Sequence, residues 1–87
     1  MHTDEYEISL LREVNVCRRE IASLQASLMI MEKKYGTSSD SFEKQYGSTP
    51  RGAENRDFAA WFAACEALRA WESRQLEYEN AYRSMKI

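Results

Sequence analysis

The sequence predicts an all-α fold, an antiparallel hairpin of two long helices with a short connecting helix, two copies of which pair as a dimeric four-helix bundle. Three observations lead there. Apolar residues recur every three or four positions over two stretches of about 30 residues each. Neither stretch contains a helix breaker, because the one proline and all three glycines fall between them. The apolar residues also outnumber what a single seam between two helices can hide.

The first helix is expected over about residues 4–35. Its apolar positions are Leu10, Val14, Cys17, Ile21, Leu24, Leu28, Met31 and Tyr35, alternating steps of four and three, which is the seam of a coiled-coil-like helix. Leu24 falls at the middle of that seam, with Ser23 beside it on the outer face. Thr3 or Asp4 can cap its start, and Asp4, Glu5 and Glu7 suit the positive end of the helix dipole. Lys33 and Lys34 occupy its last turn, and Gly36 follows where a left-handed residue commonly ends a helix.

The short helix is expected over about residues 40–46. Asp40 and Glu43 have the spacing of a capping box, while Phe42 and Tyr46, four apart, share one face and would plug the end of the bundle. Pro50 and Gly52 among polar residues mark the loop from Ser48 to Asn55. The second long helix is expected over about 56–85, capped by Asn55. Its stripe reads Phe58, Trp61, Cys65, Leu68, Trp71, Gln75, Tyr78, Tyr82 and Met85, and the spacing shortens once near Leu68 to Trp71, where the helix would overwind locally. Each long helix would extend roughly 45 to 48 Å, so nearly equal lengths suit a hairpin.

One domain spans residues 1–87, since a chain of 87 residues is too short to divide into two. At this size a lone copy buries only about 60 to 65% of its unfolded surface, and chains like it usually draw support from disulfides, a metal or a second subunit. The hairpin puts Cys17 level with Gln75 and Cys65 level with Ala26, about 14 Å apart along the axis. A disulfide needs α-carbons within about 7 Å, so both cysteines are expected as free, buried thiols. The single histidine, His2, and the lack of a CxxC pair leave no zinc spacing, and no metal or cofactor is expected. A second subunit remains, and a homodimer follows.

Leu11, Val16, Met29 and Ile30 flank the first seam, and Phe62 and Leu76 flank the second. The second helix is rich in the aromatic types that dominate binding hot spots. The candidate protein interface is therefore Leu11, Met29, Ile30, Trp61, Phe62, Trp71, Tyr78 and Tyr82.

Sought and missing from the sequence are a glycine-rich phosphate loop, a nucleophile elbow and Glu-x-x-His pairs, so no catalytic residue is assigned and no enzyme is expected. Glu72 and Glu79 sit near the second seam, where solvation or pairing with a residue such as Arg18 is their ordinary role. Basic residues at Arg18, Arg19, Lys33 and Lys34 are interrupted by Glu13, Glu20 and Glu32, unlike the continuous stripe of a nucleic-acid binder, and the net charge is −2. The expected setting is cytoplasmic, because no apolar run reaches membrane-spanning length and Met1 is followed by His2, Thr3, Asp4 and Glu5 rather than by a signal peptide's basic and apolar segments.

The stretch Met31-Glu32-Lys33-Lys34-Tyr35-Gly36-Thr37-Ser38-Ser39-Asp40-Ser41-Phe42, followed by Asp57-Phe58 and then Trp61, resembles an arrangement that recurs in small prokaryotic helical proteins. Several of those resemble the antitoxin member of a toxin–antitoxin pair. The resemblance implies an intracellular regulator that neutralises a toxin by wrapping or blocking it. This sequence departs from the pattern at Ser48-Thr49-Pro50-Arg51-Gly52, where an acidic linker would stand. The function expected from residues and resemblance together is non-catalytic protein binding, as an antitoxin-like regulator or as a helical-hairpin adaptor or oligomerisation module of a larger complex.

Overall fold

A computed structural model of the chain describes residues 5–46 and 55–85. Three helices follow in order, α1 (Glu5–Tyr35), α2 (Ser39–Tyr46) and α3 (Arg56–Met85), and the described residues contain no strand. Helices α1 and α3 pack along each other as the predicted hairpin, with α2 set against α3 at the loop end. Two ion pairs mark the antiparallel register: Lys34 meets Asp57 at the loop end, and Arg18 meets Glu79 further along the hairpin. The molecule is a rod of 58 × 21 × 18 Å, two helices thick over most of its length.

The ends of the helices follow from local chemistry. Gly36 closes α1 with φ at 65°, in the left-handed region, and its amide donates to the Glu32 carbonyl at 2.8 Å. Asn55 caps α3 as expected, its Oδ1 accepting from the amides of Asp57 at 2.9 Å and Phe58 at 3.3 Å. The start of α2 differs from the expected box. Ser38 is the cap, its Oγ accepting from the Ser41 amide at 3.2 Å and its carbonyl from the Phe42 amide at 3.0 Å. Asp40 lies inside the first turn, and the Glu43 side chain reaches across to Arg69 on α3 rather than back to the cap. A serine two residues earlier wins because the neighbouring Ser39 amide is already satisfied by the Glu32 carboxylate at 2.8 Å. Thr3 and Asp4, the expected caps of α1, and the loop around Pro50 and Gly52 lie outside the described residues.

The two seams read from spacing are the two packed stripes. Leu10, Val14, Cys17 and Leu28 are buried, Ile21, Leu24 and Met31 are half-buried, and Tyr35, the last position of the seam, is 37% exposed. From α3, Trp61 and Cys65 are buried, while Phe58, Leu68, Trp71, Gln75, Tyr78, Tyr82 and Met85 are half-buried. Through the shortened spacing at Leu68 to Trp71, α3 continues as one unbroken α-helix. Both cysteines are free and buried, as their place on the seams implies.

At the loop end Leu28, Phe42, Trp61 and Cys65 form a core cluster. The Phe42 ring stacks on Trp61 at 3.9 Å with the planes 3° apart, and Tyr35 stacks on the same indole at 5.8 Å. Phe58 meets Phe42 and Tyr35 edge to face, at 5.3 and 5.1 Å, the geometry that aromatic quadrupoles favour. Phe42 and Tyr46 thus close the end of the hairpin, as their four-residue spacing predicts. The indole N–H of Trp61 donates to Ser39 Oγ at 2.9 Å, so burial of the ring strands no donor.

Candidate interaction surface

Polar contacts lock the loop end. Lys34 Nζ donates to Asp57 Oδ2 at 2.7 Å, and the Tyr35 hydroxyl donates to the same oxygen at 2.6 Å. These two donors hold the Asp57 carboxyl below its ordinary range, and in return raise Lys34 and Tyr35 above theirs. Arg69 grips Glu43 with a two-pronged fork at 2.8 and 2.7 Å, which lowers the Glu43 carboxyl. Burial, with the Glu43 carboxylate beside it, pushes the Cys65 thiol up to about 11. The Cys17 thiol is raised too, chiefly by burial. Neither thiol has the electropositive, open surroundings of a reactive cysteine. Among the described residues no group of three His, Cys, Asp or Glu gathers as metal ligands.

The predicted interface residues separate into three kinds. Leu11, Met29 and Ile30 are 42%, 55% and 65% exposed, large side chains that the hairpin leaves in water. Phe62, Trp71, Tyr78 and Tyr82 are half-buried. Phe62 is partly covered by Tyr46 at 4.9 Å, and Trp71 has the Arg74 guanidinium over its ring at 4.7 Å, so each already has a neighbour within the chain. Trp61 is a correction: at 1% exposed it belongs to the chain's own core, because α2 folds down over it, and it offers no surface to a partner. Leu76, read only as a flank of the second seam, is 57% exposed. Sequence reading passed over Tyr6 and Ile8, which are 58% and 43% exposed; their place outside the four-and-three spacing was the available signal.

These side chains are not scattered evenly. At 100° per residue, Leu11 and Met29 point the same way from α1, about five turns and roughly 27 Å apart, on the side where Arg18 reaches across to Glu79. Leu76 projects from α3 on that same side, and so do Glu32 and Arg69, which hold α2. Ile30, one residue on from Met29, is turned about 100° away from that direction. Helix α2 therefore covers only the loop end of one broad face, about 12 Å of a hairpin roughly 45 Å long. Beyond it the face is two helices wide and, among the described residues, open, with Leu76 and Leu11 standing on either side of the Arg18–Glu79 pair.

Among the described residues no helix is long and apolar enough to cross a membrane. Compared with known proteins, the chain matches no family model, no curated protein and no solved structure.

Proposed function

We propose that this chain is a protein-binding module that works by laying its hairpin face against other helices, without catalysing a reaction. The observation that carries this reading is the pair Leu11 and Leu76, 42% and 57% exposed on the face that α2 covers only at one end. At the loop end a third helix completes a compact section, and among the described residues no such helix covers the rest of the hairpin. A bundle section of three or four helices buries wider apolar stripes than two helices can. A second copy of the chain is the simplest provider, and a twofold pair would present the same face from each copy.

The likeness to antitoxins supplies a partner class, a toxin held by wrapping or blocking. Its motif residues have structural duties here: Gly36 and Ser38 end and begin helices, and Tyr35, Phe42, Phe58 and Trp61 fill the aromatic cluster. They support the hairpin shape that such a regulator would need, and leave the partner's identity to experiment.

The test pairs mass measurement with capture. Static light scattering across a wide concentration range should return the mass of two chains for the natural sequence, and of one chain for the Leu11→Glu, Leu76→Glu double variant with helix content retained. A partner captured from the native host should likewise be lost by that variant. A natural chain that stays monomeric, together with capture that ignores both substitutions, would refute the assignment of this face.

A further inference from the structure

We infer that α2 is a hinged cover which lifts about Gly36 while α1 and α3 stay paired, giving the chain a second form in which Trp61, Phe62 and Cys65 are bare. The inference holds whichever partner the hairpin takes.

Four observations lead to it. First, α2 has eight residues, and isolated helices shorter than about 12 to 15 are marginal in water, so α2 keeps its shape only while docked. Second, its anchors are separate from those that hold the hairpin. The Arg69–Glu43 fork, the Trp61 N–H on Ser39 Oγ and the Ser39 amide on Glu32 tie α2 down. Lys34 and Tyr35 on Asp57, and Arg18 on Glu79, join α1 to α3 and survive its departure. Third, the pivot is a glycine, the residue with the widest choice of backbone angles, and it sits in open space: φ is 65° and a side chain placed there would meet nothing within 4 Å. Fourth, the two thiols lie under different covers. Cys65, 4% exposed, shares its cluster with Phe42 of α2, whereas Cys17, 0% exposed, lies in the α1–α3 seam near Arg74 and Glu79.

Each thiol therefore reports a different opening. In the closed form Cys65 is protonated at neutral pH and shielded; with α2 lifted it becomes an ordinary thiol in water. Cys17 is reached only when α1 and α3 part. Local opening of this kind lies below global unfolding in free energy and exposes less surface than global unfolding does, so its rate responds less to denaturant.

The experiment labels the single-thiol variants Cys17→Ala and Cys65→Ala with an aromatic disulfide reagent at neutral pH over a series of low urea concentrations, with circular dichroism as the check on folding. Cys65 should react about tenfold faster than Cys17, with a rate that climbs less in urea than that of Cys17. Arg69→Ala should raise the Cys65 rate by about threefold, as expected for an exposed ion pair, and leave Cys17 unchanged. Hydrogen exchange on the unsubstituted chain gives a reading that needs no variant: amides of residues 43–46 should be less protected than those of residues 14–28. Equal labelling rates with a shared urea dependence, an Arg69→Ala effect that is absent or equal at both thiols, or equal protection of the two segments would each overturn the inference.

Discussion

Replacing Leu28 by alanine tests the register of the hairpin more sharply than any other change. Leu28 is 8% exposed and packs in the cluster with Phe42, Trp61 and Cys65. Buried Leu-to-Ala changes cost about 2 to 5 kcal/mol, and the close packing here argues for the middle of that range, about 3. At about 0.05 to 0.15 kcal/mol per residue the whole chain has roughly 4 to 13 to lose, so the variant should keep its fold with little to spare. With a urea slope near the low end for small domains, about 1 to 1.5 kcal/mol per molar, the unfolding midpoint should fall by roughly 2 to 3 M. Leu24→Ala, at a half-buried site, should cost less, and Ser23→Ala, on the outer face, next to nothing. The decisive comparison is Ile30→Ala, two positions away and 65% exposed, which should stay within about 0.5 kcal/mol of the natural chain. Urea titrations followed by circular dichroism, repeated at several protein concentrations, measure all four. If Ile30→Ala costs as much as Leu28→Ala at every concentration, the assigned faces of α1 are wrong. If its cost appears only at high concentration, a second copy covers Ile30 and the side of α1 that Ile30 presents is also an interface.

Three further outcomes follow from the helix ends and the loop-end clasp. Gly36→Ala should destabilise by about 1 kcal/mol although the space around it is open, because φ of 65° is costly for any residue with a β-carbon; a neutral result in urea titration would show that the turn relaxes. Asn55→Ala should also cost about 1 kcal/mol by the same assay, since it strands the amides of Asp57 and Phe58 at the start of α3. The carboxyls of Asp57 and Glu43 are depressed in the fold, so their contribution is complete above the unfolded carboxylate range near pH 4 and is lost as pH falls through the lower folded values. Lys34 and Tyr35 are raised, so theirs is complete below about pH 10 and is lost as pH climbs through the folded values. Melting temperature against pH should thus fall at both extremes, and Asp57→Asn should flatten both limbs.

The sequence revealed elements whose cause is local. Asn55 and Gly36 mark helix ends by chemistry that acts within a few residues, and the four-and-three spacing from Leu10 to Tyr35 orients a whole helix face. Arg18 with Glu79 could be anticipated because the register of an antiparallel hairpin follows from its loop. What depended on the third helix was harder to see. Spacing places Trp61 on the seam, yet whether its ring faces a partner or the chain's own interior depends on where α2 lands, and nothing periodic records that. The same applies to Leu76, a flank by spacing and an exposed residue in the fold because α2 stops short of it. The Asp57 clasp leaves no local pattern in the sequence, because Lys34 and Tyr35 meet it across more than twenty residues of chain.

The slender build bears on how assembly should be measured. A compact globule of this length has a radius of gyration of about 12 Å, while the chain's is 17.1 Å, the value for a globule of roughly 220 residues. In X-ray scattering the Guinier radius of one isolated chain would therefore pass for that of an assembly of two or more compact copies. Only a quantity proportional to mass, such as the forward scattered intensity, can count the chains.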